Sequence, residues 1–187
     1  MDFYGKNAKE YIEKTINADL SSEREELIKL LPENAKILDI GFGSGRDSLA
    51  FKQKGFDVIS IDNCDEFCKH GKEIGLFVEN ISIQDITFDN EFDGVWASAS
   101  LLHVKSSELV DVFNKIDKAM KPGGKFYCSF KYGDFEGIRE ERYYTDITLD
   151  KIKQILSETK FHLIKNWMRE DFEGRDIKWI CFLLEKK

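Results

Sequence analysis

From Ile37 to Ser48 the chain reads Ile-Leu-Asp-Ile-Gly-Phe-Gly-Ser-Gly-Arg-Asp-Ser. A short apolar run carrying Asp39 meets alternating glycines at 41, 43 and 45. A helical pattern through Ser48, Leu49, Ala50 and Phe51 starts at once. This is a strand, a tight turn and a helix start. Alternate glycines strip side chains from the turn, so a ligand can lie against bare backbone. The helix that follows aims its free N–H groups and positive dipole end at that ligand. A second acid, Asp62, ends the next apolar run, Val58–Ile61. It stands about 20 residues past the glycines, where an acid reaches ribose hydroxyls in nucleotide-type folds.

The pattern around this turn fixes the fold class. Strand-like runs at 35–40, 58–61, 77–83, 94–97 and 125–130 alternate with helical patterns at 47–54, 65–73 and 106–119. Such alternation predicts an α/β fold with a parallel sheet wrapped on both faces. The last third differs. A helix at 149–158 precedes two consecutive strands, 161–167 and 177–184, whose short polar link predicts an antiparallel edge. Residues 1–31 read as a helical cap in two segments, with Pro32 ending the second. No linker or repeat divides the 187 residues, which predicts one domain.

Composition removes several classes. The net charge is −7, with 28 basic residues scattered among 35 acidic ones, so a phosphate backbone is repelled unless a local basic patch exists. No apolar run approaches a membrane span, and the N-terminus lacks the apolar core of a signal peptide. A cytoplasmic protein with reduced thiols is the expectation. Of the four cysteines only Cys64 and Cys68 lie close, with no nearby His or third Cys, so no metal site is expected. No Cys-x-x-x-Cys-x-x-Cys is present to hold an iron–sulfur cluster.

Three ligands compete for the turn. A Walker loop needs a Gly-Lys-Ser/Thr ending that is missing, and a dinucleotide turn needs a small residue where Arg46 stands. The third is S-adenosylmethionine, whose methionine end needs close backbone approach more than an anion nest. Here the sequence resembles the class I S-adenosylmethionine-dependent methyltransferases. Asp39, Gly41, Gly43 and Gly45 match their acid-x-Gly-x-Gly-x-Gly motif, with Phe42 where Cys is usual. Asp85, the run Phe92–Ser98 and the Lys121-Pro122-Gly123-Gly124 turn match later motifs in the family's order. Gly45-Arg46-Asp47-Ser48 and Leu101-Leu102-His103-Val104 look most like small bacterial members of the tellurite-resistance type. The resemblance implies a Rossmann-like, doubly wound, seven-stranded sheet, mostly parallel with an antiparallel C-terminal hairpin strand.

It also implies roles. Gly41, Phe42, Gly43 and Gly45 take the cofactor's methionine part, and Asp39 suits its amino group. Asp62 and Asn63 take the ribose, Asp85 and Ile86 flank the adenine, and Ala97 and Ser98 contribute at the end of the fourth strand. Tyr11 looks like the N-terminal aromatic that covers the cofactor. Arg46 either reaches the cofactor carboxylate or faces solvent. His103, after the fourth strand, is a candidate general base or a structural histidine. Segment 131–147 follows the fifth strand, where α/β sheets place substrate loops. Its Lys131, Arg139, Arg142, Tyr143 and Tyr144 are candidates to bind an acceptor bearing an anionic group, or a solvated loop whose charges pair internally. The short link between the last strands is expected to add no substrate platform. The segment Ala97-Ser98-Ala99-Ser100 lacks the Asn/Asp-Pro-Pro-Tyr/Phe of amide and exocyclic-amine enzymes. A small-molecule methyl acceptor is therefore the leading expectation, giving S-adenosylhomocysteine as product. A nucleic-acid methyltransferase and a non-catalytic cofactor-binding subunit stay open.

Overall fold

The computed structural model describes residues 3–187; Met1 and Asp2, the first two residues of the expected cap, lie outside the described residues. In chain order the elements are α1 (Phe3–Thr15), α2 (Ser21–Ile28), β1 (Lys36–Ile40), α3 (Arg46–Gln53), β2 (Asp57–Asp62), α4 (Asp65–Glu73), β3 (Val78–Asn80) and β4 (Phe92–Ser98). There follow α5 (Ser106–Ala119), β5 (Met120–Lys131), β6 (Glu136–Arg139), β7 (Arg142–Thr145), α6 (Leu149–Ser157), β8 (Phe161–Glu170) and β9 (Lys178–Lys186). Single 3₁₀ turns at Ile83–Asp85 and Leu101–His103 lead out of β3 and β4.

Seven strands form one sheet in the order β3-β2-β1-β4-β5-β9-β8. The five from β3 to β5 are parallel, and β9 runs antiparallel to both neighbours. A central strand covered on both faces needs apolar side chains on both, which is why Ile37, Leu38 and Ile40 of β1 are all buried. The chain leaves β1 outward to β2 on one side and later returns to β4 on the other. The strand order reverses between β1 and β4, and their C-terminal ends frame a crevice there. The largest cluster of the core packs β4, β5 and β9 against α5 and α6 through Phe113, Phe126, Phe161 and Phe182.

Two features depart from the sequence reading. β5 begins at Met120, which pairs with Phe92; the next pair is Gly94 with Lys125, so the residues expected as a turn bulge from the strand's start. Segment 131–147 is largely a β-hairpin. β6 and β7 pair antiparallel with Arg139 opposite Arg142, leaving Glu140 and Glu141 as a two-residue turn. Both have positive φ, 47° and 63°, the mirror-image turn that suits a hairpin's twist but strains ordinary side chains. Glutamates do not advertise such a turn, so the sequence read as loop.

Candidate active site

The turn after β1 lies across the crevice. Gly41 N–H and Phe42 N–H both donate to the Ile61 carbonyl, at 2.9 and 3.1 Å, tying the turn to the end of β2. Gly41 has φ +84°, and a Cβ there would come within 2.5 Å of the Ser100 Cβ. Asp62 accepts from Gly43 N–H at 3.0 Å through one oxygen and from Cys64 N–H at 2.9 Å through the other. The carboxylate also lines the smaller cavity. Gly45 serves packing: a Cβ there would lie 2.5 Å from the Phe42 ring.

Two cavities flank this turn. The smaller, about 320 Å³, is lined by Gly41, Gly43, Asp62, Asn63, Phe67 and Gln84, among others. The larger, about 870 Å³, runs from the glycines to the far ends of β5 and β9. Tyr4, Tyr11, Ser98, Ala99, His103 and Arg142 line both. Helix α1 therefore sits over the junction. Tyr11 packs edge-on to Tyr4, and its ring lies 3.3 Å from where a Gly43 Cβ would stand.

Several expected residues stand elsewhere. Asp39 is 3% exposed and lines neither cavity. It lies beneath the turn, where Ser48 Oγ donates to it at 2.5 Å and contacts Ser60 Oγ at 2.7 Å. Burial, with the Asp47 charge beside it, raises its pKa to about 8. It supports the turn from below. Asp85 is exposed and accepts from Ser82 Oγ at 2.6 Å, while Ile86 is core, so Ile83 and Gln84 form that wall instead. Ala97 is fully buried, and Ser98 with Ala99 reaches the cavities in its place. Gly45 lines neither cavity.

Arg46 neither faces solvent nor stands free. It grips Asp47 with Nε at 3.0 Å and Nη2 at 2.6 Å while lining the larger cavity. The same carboxylate accepts from an Arg24 guanidinium N–H and from Trp96 Nε1–H at 3.0 Å. Burial alone would raise the Asp47 pKa, but the two arginines outweigh it and hold the group below its usual value. Two cations on one anion leave a net positive wall beside the glycines. The sequence reading passed over Asp47; its signal was an acid directly after the arginine at a helix start.

His103 is held at both nitrogens. Its Nδ1 lies 2.6 Å from the Tyr143 carbonyl, which can only accept, so Nδ1 carries the proton. Nε2 is then the acceptor and receives the Tyr4 hydroxyl at 2.7 Å. Burial lowers the His103 pKa to about 4, and Arg142 and Lys131 add to this, so the ring is neutral at pH 7. Ala99 has φ +54°, a left-handed conformation that costs an alanine about 1 kcal/mol or more. Ser100 Oγ is buried with no hydrogen-bond partner among the described residues. Neither was foreseen.

The end of β5 brings Lys131, and the hairpin brings Arg139, Arg142 and Tyr144, to the larger cavity. Arg139 binds Asp146 with both Nη atoms at 3.2 and 2.8 Å, and Arg142 meets Glu140 at 3.1 Å and lies over the Phe3 ring. Lys131 has no ion pair among the described residues; its Nζ lies 4.0 Å from the Tyr144 ring centre. Tyr143 departs from the expectation: it edges the smaller cavity, and its hydroxyl donates to Glu136 at 2.7 Å. The link between β8 and β9 also departs from it, since Phe172, Arg175 and Ile177 line the larger cavity. Asp171 organises this link, accepting from Glu173 N–H, twice from Arg175 and from Trp179 Nε1–H.

Comparison with known proteins agrees with this layout. A family model described as a methyltransferase domain matches residues 38–128, from β1 into β5. Phosphoethanolamine N-methyltransferase 1 of Triticum aestivum is 30% identical over 146 residues, covering 67% of this chain but 29% of that protein. The chain thus spans less than a third of the wheat enzyme. An "uncharacterized methyltransferase" of Staphylococcus carnosus is 26% identical over 181 residues, covering 89% of this chain and 85% of that one. In fold, the chain resembles 1,6-didemethyltoxoflavin-N1-methyltransferase of Burkholderia thailandensis, crystallised with its 1,6-didemethyltoxoflavin and S-adenosylhomocysteine. The TM-score is 0.76 at 19% identity, over 97% of this chain and 86% of that one. Among the described residues no helix is long and apolar enough to cross a membrane. With the glycine turn at the β1/β4 reversal inside the matched segment, residues 38–128 form a methyltransferase domain of the S-adenosylmethionine-dependent type, and S-adenosylmethionine is its cofactor.

Proposed function

We propose that this chain methylates a small molecule carrying an anionic group. One observation carries the reading: a protein with net charge −7 gathers Lys131, Arg139, Arg142 and Arg175 onto the wall of one cavity beside the glycine turn. The arginines pair with Asp146, Glu140, Asp171 and Glu173, which leaves Lys131, with no ion pair among the described residues, to suit carboxylate or phosphate oxygens. The cavity is a partly open recess whose volume is of small-molecule size, which favours a metabolite over a nucleic-acid backbone. That the wheat relative acts on phosphoethanolamine supports the same class.

When bound, S-adenosylmethionine supplies a methyl group already activated by its sulfonium. The chain's own work is to bind, orient and exclude water. Gly41, Phe42 and Gly43 offer backbone to the methionine part, and the Arg46 face offers positive charge to its carboxylate. Asp62 and Asn63 take the ribose, and Tyr11 covers the junction from α1. Residues 3–31 serve as a cap and residues 131–147 as the acceptor-binding hairpin.

His103 acts through Tyr4 in this reading. Its Nε2 lone pair is taken by the Tyr4 hydroxyl, so Tyr4 stands between the ring and the cavity junction. A ring with a pKa near 4 is a weak proton acceptor at pH 7, so the pair chiefly fixes where that oxygen stands.

Two experiments test the function. Calorimetry should show S-adenosylhomocysteine binding in the micromolar range, and its absence sinks the cofactor assignment. Incubation of methyl-labelled cofactor with a metabolite extract should label a small acidic product rather than added tRNA. Within the cofactor site, Asp62→Ala should weaken S-adenosylhomocysteine binding about 10- to 100-fold, the loss of a charged acceptor worth roughly 1.5–3 kcal/mol. Unchanged affinity would mean that the ribose lies elsewhere.

A further inference from the structure

The acceptor wall is not only cationic. Where β5 and β9 meet the cavity, Tyr132 and Phe172 are 49% and 41% exposed, and both line the larger cavity. Tyr132 comes from the end of β5, its N–H donating to the Lys178 carbonyl at 2.8 Å. Phe172 comes from the β8–β9 link, whose shape the buried Asp171 carboxylate fixes. Large apolar side chains left in water beside a cavity mark a surface that a ligand covers. Lys131, which has no ion pair among the described residues, lines the same cavity.

We infer that the acceptor is an aromatic acid, its ring held between Tyr132 and Phe172 and its carboxylate or phosphate on Lys131. This deepens the proposed function and rests on its reading of the larger cavity. Charge supports the anchor. Arg139 is committed to Asp146, and Arg175 to Asp171 and Glu173, while Lys131 forms no ion pair among the described residues and lies against the Tyr144 ring, with the Asp146 charge farther off. Burial, with Arg139 and Arg142 nearby, depresses the Lys131 pKa, a cost that an arriving anion relieves.

The test is calorimetry on the full chain, first with S-adenosylhomocysteine alone. Then 4-hydroxybenzoate, indole-3-acetate, 4-nitrophenyl phosphate and phosphoethanolamine are titrated separately, with and without that ligand. At least one aromatic acid should bind ten-fold or more tighter than phosphoethanolamine. The carboxylate and phosphate arms tell which acidic group is preferred. Lys131→Met should weaken that acid about ten-fold. Tyr132→Ser with Phe172→Ser should weaken it several-fold, leaving affinity for S-adenosylhomocysteine unchanged. The inference is overturned if phosphoethanolamine binds as tightly as every aromatic acid, if none of the aromatic acids binds, or if Lys131→Met has no effect. Failure of S-adenosylhomocysteine to bind would instead strike the cofactor reading, because the aromatic acids are also titrated without it.

Discussion

Gly41→Val is expected to cost about 2–5 kcal/mol of stability and to weaken S-adenosylhomocysteine binding tenfold or more. Two physical terms combine. A φ of +84° is left-handed and costs an L-residue roughly 1–2 kcal/mol, more when it is β-branched. The new Cβ would also stand 2.5 Å from the Ser100 Cβ, so the exit of β4 must move, and such overpacking typically costs about 1–3 kcal/mol. Moving that exit shifts Ser98, Ala99 and His103, which line both cavities. Gly55→Val separates the terms. Its φ is +91° with nothing within 4 Å of a Cβ, so it carries the strain without the overlap. Urea denaturation and calorimetry on both variants check this. Equal stability losses, or normal binding by Gly41→Val, would mean that the turn does not press against β4.

The second large effect is expected at Asp47. Asp47→Ala leaves the Arg24 and Arg46 guanidiniums buried without their shared carboxylate, and Trp96 Nε1–H without its acceptor. Stranding one partner of a buried ion pair costs about 3–5 kcal/mol, and here two cations lose one anion. Asp47→Asn keeps an acceptor oxygen and should recover part of the loss. Arg24→Met on the Asp47→Ala background should recover more, because it removes a stranded charge. A loss below about 1 kcal/mol in Asp47→Ala would show that water solvates these arginines freely.

The architecture was legible where the signal is local. β1 is apolar at Ile37, Leu38 and Ile40 because it is covered on both faces, and the glycines follow because the turn crowds Ser100 and Phe42. The antiparallel end could be read because β8 and β9 are adjacent in sequence with a short polar link. The site was legible only in its backbone part. Asp39 carries the motif yet lies under the turn, since a motif records a position in the chain and not the depth at which it is buried. The Glu140–Glu141 turn was hidden because those residue types do not favour its dihedral angles. Asp171 became visible only when folding brought Arg175 and Trp179 round it, although that acid–arginine spacing of four was there to notice.

Helix α1 has a bearing on the rate at which this enzyme can turn over. It is fastened over the junction of the cavities at several points: the Tyr4 hydroxyl on His103, the Thr15 carbonyl on Arg46, Phe3 under Arg142, and Lys14 on Glu173 at 2.9 Å. With the cofactor in the proposed place beneath it, release of the spent molecule breaks some of these ties, so product release, rather than methyl transfer, should limit kcat. Added viscogen should then slow steady-state turnover while a single-turnover methyl transfer proceeds unchanged. Equal insensitivity of both rates would show that the helix lets the product past without opening.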